Sequence, residues 1–222
     1  MGHAMRAISG ALGDVFSRRL AGLSLLCVLA AIAATAGAAW AAFRYLLPLI
    51  PDREGWIGWL LNAAEVLGGA GVVLLAIVLA PGVSMLVGGA LFDIAAARVE
   101  KAIGASPGRM ISVPQGILTG VRIALPALAL NLLAIPLYFA PVLNLIVFFG
   151  LNGFLMGREY FSLAAVRRMS WAEARAARRR APISVFAIGL VASFIPFVAP
   201  LFGASAMTRL IHARGWETSA SA

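Results

Sequence analysis

The chain has 222 residues, of which 62% are hydrophobic and only 12% charged, and it carries a net charge of +9. Soluble proteins average about 25% charged residues, so this composition excludes an ordinary soluble domain and describes an integral membrane protein, long enough for one domain. The single cysteine, Cys27, excludes an intramolecular disulfide and a Cys-based metal cluster. No P-loop, Rossmann, HExxH or Ser-His-Asp pattern is present, so neither an enzyme nor a cofactor is expected.

Residues 1–19 are amphipathic, with Met5, Ile8, Leu12, Val15 and Phe16 at three- and four-residue steps. They predict a surface helix lying on the membrane or on neighbouring helices. Leu20–Phe43 is uncharged throughout and longer than a signal-peptide core, so it predicts a first spanning helix. Arg18 and Arg19 mark its start, and Trp40, Phe43 and Tyr45 form an aromatic belt at its end. A short external loop with Pro48 and Pro51 follows. The second span falls within Val66–Phe92, kinked at Pro81-Gly82, and Asp93–Gly104 continues that helix out of the bilayer. Gly104-Ala-Ser-Pro107-Gly108 is a turn, and Ser112–Arg122 approaches the membrane again.

Ile123–Gly157 holds no charge but three prolines, Pro126, Pro136 and Pro141. Ala181–Thr208 repeats the pattern with Pro182, Pro196 and Pro200, and the two centres read Ile-Pro, a spacer, then Ala-Pro. Proline breaks a helix and restricts the residue before it, so each run reads either as a Pro-tipped helical hairpin or as one long kinked span. Ile183–Phe194 would reach only about 18 Å as a helix, against about 30 Å of hydrocarbon. That hairpin enters the bilayer without crossing it, which requires cover from protein or a cavity. Between the runs, Ser170-Trp-Ala-Glu173 fits a capping box opening a basic helix through Arg175, Arg178, Arg179 and Arg180. The tail, 216–222, is small and polar and predicted disordered.

Charge arbitrates between hairpins and kinked spans. Two hairpins place 16 of the 18 basic residues on one side of the membrane, whereas two single spans divide them nine and nine. The positive-inside bias prefers hairpins, with both termini cytoplasmic, although uncharged tips leave open whether the hairpins cross. The same placement of arginine at the edges of apolar runs makes membrane topology, not nucleic acid, the explanation of the positive charge. The expected fold is therefore all-α: two long transmembrane helices plus two partly penetrating hairpins, in one membrane domain over 8–212.

Polar residues inside the apolar run are the candidate pathway. Asn131, Asn144 and Asn152 serve either interhelical hydrogen bonds or a substrate route, and Asn152 shares a helical face with Glu159, seven residues on. Arg18 and Arg19, beside the free N–H groups of a helix start, suit an oxyanion or act as positive-inside anchors. Arg158-Glu159 reads as an interfacial anchor or ion pair. Arg175–Arg180 attracts anionic lipid or a soluble anion, or sets topology.

Leu91-Phe92-Asp93, Arg98-Val99-Glu100, Asn131, Pro136, Pro141, Asn144, the run Leu151-Asn-Gly-Phe-Leu-Met-Gly-Arg-Glu-Tyr-Phe161 and Arg167-Arg168 together resemble the CysZ family, which includes relatives of the etoposide-induced membrane protein. The resemblance spans roughly Ile8–His212. It implies two spanning helices with two partly penetrating hairpins, a homo-oligomer in the inner membrane, and sulfate uptake feeding cysteine synthesis. The family's Pro-Gly-Leu/Ile-Arg sulfate motif corresponds here to Phe16-Ser17-Arg18-Arg19-Leu20, with arginine present and Pro-Gly absent. Two functions stand: a permease for sulfate or a related oxyanion, using Arg18 and Arg19, and a non-transporting scaffold whose basic face recruits a partner or anionic lipid.

Overall fold

A computed structural model describes residues 2–41, 44, 91–138, 141–195 and 197–216. The second span expected within Val66–Phe92 lies outside the described residues up to residue 90, as do the loop at 45–55 and the end of the tail, 217–222. Among the described residues the chain is helical without strands. The helices are α1 (Gly2–Phe16), α2 (Ala21–Ala41), α3 (described over 91–103), α4 (Val113–Tyr138), α5 (Pro141–Val166), α6 (Trp171–Arg179), α7 (Pro182–Ser193) and α8 (Ala199–Ala213).

Both proline-rich runs fold as helical hairpins. α4 and α5 pack together, with Arg158 of α5 reaching back to the carbonyls of Arg122 and Ile123 on α4 at 3.0 and 3.4 Å. The break differs from the proline reading in one respect. Pro136 lies inside α4, which continues to Tyr138, and Pro141 opens α5. Proline is disruptive within a helix but well placed at a start, where its missing N–H is no loss. Pro182 and Pro200 take that position at the starts of α7 and α8. Pro114–Ala134, within α4, is long and apolar enough to cross a membrane; Ala21–Ala30 and Pro182–Ser193 are shorter apolar stretches.

The core is built around α8. Every residue from Ala199 to Thr208 is buried, together with Leu210 and Ile211. A helix apolar on all sides needs partners all round, and α1, α5 and α7 supply them. Tyr160 and Phe161 of α5 are fully enclosed, and the Tyr160 ring lies where any Cβ on Gly203 would have to sit. α5 and α7 meet backbone to backbone. A Cβ on Gly189 would collide with the carbonyl of Gly153 and the amide of Gly157, and one on Gly157 with the carbonyl of Val185. Small residues allow this approach, the usual device where helices associate without a hydrophobic drive from water.

α1 lies on α8 with part of its apolar stripe: Val15 is in the core and Ile8 and Leu12 pack against it. Ala4, Ala7, Ala11 and Val15 are buried, while Met5 is 66% and Phe16 83% exposed. The alanines allow close packing, and Asp14 sets the register. Its carboxylate accepts from Ser205 Oγ at 2.6 Å and from Arg209 Nε at 2.9 Å. A buried carboxylate needs such partners, and here they fix α1 to α8 across the whole sequence.

Candidate anion-binding site

The turn between α1 and α2 is shaped by Ser17, whose hydroxyl donates to the Asp14 carbonyl at 2.6 Å. The Ser17 carbonyl in turn accepts from the Leu20 and Ala21 N–H groups at 3.1 and 2.8 Å. α2 then starts, and its first turn leaves the N–H groups of Gly22 and Leu23 without a backbone acceptor among the described residues. A Cβ on Gly22 would meet nothing within 4 Å, so the backbone there is open. Arg18 and Arg19 are both exposed beside this start. Arg19 approaches Asp14 only at 4.0 Å, and that carboxylate is already bound to Arg209. Arg98, from α3, joins them: its Nη1 donates to the Arg19 carbonyl at 2.7 Å. Exposed Arg18 and Arg19, with Arg98 bound to the Arg19 carbonyl, thus lie just before a helix N-terminus, and arginine beside free helix N–H groups is the chemistry an oxyanion requires. Arg98 was not singled out for this role by spacing, because it stands 79 residues from Arg19.

The polar residues of the first hairpin are spread along it. Asn131 is exposed, and its amide donates to the Ala127 carbonyl one turn back at 3.0 Å. Asn144 lies in the first turn of α5, its side chain outside the described set. Asn152 and Glu159 are both partly buried on α5.

A buried ionic network closes the base of this hairpin. Arg167, at 1% side-chain exposure, donates to Asp93 at 2.8 Å and to Glu100 at 3.0 Å. Glu100 also receives Arg168 at 3.1 Å and the Gly108 N–H at 3.0 Å. The turn at Gly104 has φ 69°, a left-handed conformation suited to glycine, and it folds 105–112 back over this network. These four charged residues are among those that carry the family resemblance, and they pair the acids on α3 with the arginines after α5.

The capping box is formed as expected. Ser170 N–H donates to Glu173 Oε2 at 2.7 Å, and Glu173 N–H donates to Ser170 Oγ at 3.3 Å. The Ser170 backbone and hydroxyl hold the Glu173 carboxyl below its usual value. The helix it opens, α6, brings Arg175 and Arg178 to Arg122 and Arg158 around a cavity of about 650 Å3. Burial first, then the charges of Arg158, Arg175 and Arg179, lower the Arg178 guanidinium from its ordinary value. Among the described residues no three His, Cys, Asp or Glu side chains are grouped to hold a metal ion.

Helical hairpins with proline-started arms and arginine-rich bases, one of them holding a stretch long and apolar enough to cross a membrane, suit a membrane protein. Residues 7–203 match the family described as sulfate transporter CysZ/etoposide-induced protein 2.4. The chain belongs to that family, and the resemblance read from its motifs is thereby borne out. No curated protein matches the chain.

Proposed function

We propose that the chain is an inner-membrane permease for an inorganic oxyanion, with sulfate, taken up for cysteine synthesis, as its substrate. The family match over residues 7–203 carries this reading. The α1–α2 turn supports its binding step, because Arg18 and Arg19 are exposed just before a helix start whose Gly22 and Leu23 N–H groups lack a backbone acceptor among the described residues, and Arg98 is tied to the Arg19 carbonyl. A tetrahedral dianion offers acceptors to both kinds of donor at once. Asn131, Asn144, Asn152 and Glu159 line the route along the first hairpin. The protein moves its substrate without transforming it and works as a homo-oligomer, a state supported by the exposed Leu128, Leu132, Leu133, Leu145 and Ile146 near the hairpin tip. The chain carries no ATP-binding motif, which argues against primary pumping by this chain.

Radiolabelled sulfate uptake into proteoliposomes tests this. Wild type is expected to exceed empty vesicles, and Arg18→Ala/Arg19→Ala to bind sulfate roughly tenfold more weakly or worse, since hydrogen bonds to charged groups contribute about 1.5–3 kcal/mol each. Uptake retained in the double variant would keep the permease and remove the α1–α2 turn from its mechanism. Absence of uptake by intact oligomeric protein across a range of pH would replace the permease by a non-transporting scaffold.

A further inference from the structure

We propose that the arginine-walled cavity between α4, α5 and α6 binds the phosphate of an anionic phospholipid, with an acyl chain laid along Phe154 and α7. The inference stands apart from transport and uses none of the residues of the α1–α2 turn.

Arg122, Arg158, Arg175 and Arg178 reach this cavity from three different helices. Only Arg175 and Arg178 are neighbours on one helix face, so the cluster is made by the fold and not by a run of like charges. None of the four forms a salt bridge among the described residues. The nearby acid on α6, Glu173, is bound to its own N-cap, and Glu159 offsets part of the Arg158 charge. Arg158 and Arg178 are partly buried and Arg122 and Arg175 exposed, so their mutual repulsion is only partly screened by solvent, and an anion between them relieves it.

Two of the four guanidinium groups are held in place beforehand. Arg158 is fixed by the Arg122 and Ile123 carbonyls, and Arg178 by the Ser162 hydroxyl at 3.4 Å. Arg122 lies over the Trp171 ring, 5.6 Å from its centre, and tryptophan at this kind of place favours the headgroup layer.

The apolar surroundings select a lipid over a free ion. A second cavity of about 440 Å3 shares Phe154, Arg158 and Arg178 with the first and continues past Pro182, Ile183 and Phe186. Phe154 is 49% and Ile183 63% exposed, both next to guanidinium groups. A free oxyanion gains nothing from such a wall. A phospholipid matches both parts, its phosphate at the arginines and its chain against the phenylalanines.

The test is native mass spectrometry of the full chain in neutral micelles, with phosphatidylglycerol and phosphatidylcholine of identical chains added in equal amounts. Wild type is expected to retain phosphatidylglycerol in preference. Arg122→Gln and Arg175→Gln, on separate helices, should each lower retention about fivefold, the effect of one basic residue near an anionic surface. Arg180→Gln removes the same charge at the end of α6 but outside both cavities, and should change retention little. Phe154→Ala should weaken long-chain more than short-chain phosphatidylglycerol. Equal retention of the two lipids, or an equal loss in Arg180→Gln, would overturn the site. Displacement of the lipid by inorganic phosphate or sulfate at concentrations that leave Arg180→Gln unaffected in charge state would assign the cavity to a free oxyanion and overturn the lipid.

Discussion

Arg167 carries its guanidinium into a space where only 1% of the side chain meets solvent, and its Nε finds no acceptor there. What makes that tolerable is the pair of carboxylates, Asp93 and Glu100, supplied from α3 at hydrogen-bond distance. Removing one member of a buried pair leaves the other charge desolvated, which costs about 3–5 kcal/mol. Arg167→Ala is therefore expected to lower the unfolding free energy in micelles by about that amount, whereas Arg180→Ala, exposed at the end of α6, should change it little. The double variant Arg167→Ala/Glu100→Ala should lose less than the two single losses combined, since the Arg167–Glu100 contact is then removed from both sides, although Asp93 and Arg168 each lose a partner as in the single variants. Strict additivity in a denaturant series would show that the pair is not coupled. The family resemblance rests on all four residues of the network, yet the bonded partners Arg167 and Asp93 stand 74 positions apart. Nothing local states who pairs with whom, and only the return of α5 past α3 does so.

At the scale of elements, proline spacing locates both hairpins because proline acts on the backbone of its immediate neighbours. It misplaces the first break by a few residues, since Pro136 is carried within α4 while Pro141 starts α5. The face of α1 is less legible. Its larger apolar residues suggest one stripe, of which Ile8, Leu12 and Val15 meet the core while Met5 and Phe16 stay outside, because the alanine face and Asp14 set the contact with α8. The α5–α7 contact was also readable in principle, from Gly153 and Gly157 four residues apart opposite Gly189. Those glycines sit where a methyl group would meet backbone, which cannot rotate away. Gly189→Ala is expected to lower the melting temperature in detergent, with a cost of about 1–3 kcal/mol as for other overpacked contacts. Gly120→Ala on α4 is the matching control. A Cβ there meets nothing within 4 Å, and alanine favours helix over glycine by roughly 0.5–1 kcal/mol, so its melting temperature should hold or rise. Equal responses of the two variants would mean that α5 and α7 are not in close contact.

For the whole molecule, the level of the bilayer follows from which charges lie opposite each other. Arg122 and Arg158 meet across the first hairpin, so the arms beyond them measure its reach. Arg122 to Tyr138 is 16 helical steps, about 24 Å, and Pro141 to Arg158 is 17, about 26 Å, both short of about 30 Å of hydrocarbon. α7, with 12 residues, reaches about 18 Å. Both hairpins are thus expected to enter from the side that carries α6 and to end inside the apolar layer, the second at less depth than the first. The positive-inside bias leads us to expect that side, with both termini, in the cytoplasm. Cysteine scanning in a Cys27→Ser background checks the arrangement with a membrane-impermeant thiol reagent. Gly2→Cys and Ala172→Cys should be protected in intact cells and labelled in inverted membranes. Phe197→Cys, exposed between α7 and α8 on the isolated chain, should be labelled from neither face unless a subunit contact opens a water path to it. Labelling of Phe197→Cys in intact cells but not in inverted membranes would show a crossing hairpin. Labelling of Ala172→Cys in intact cells would reverse the orientation, and with it the side on which α6 and the arginine cavity meet the bilayer.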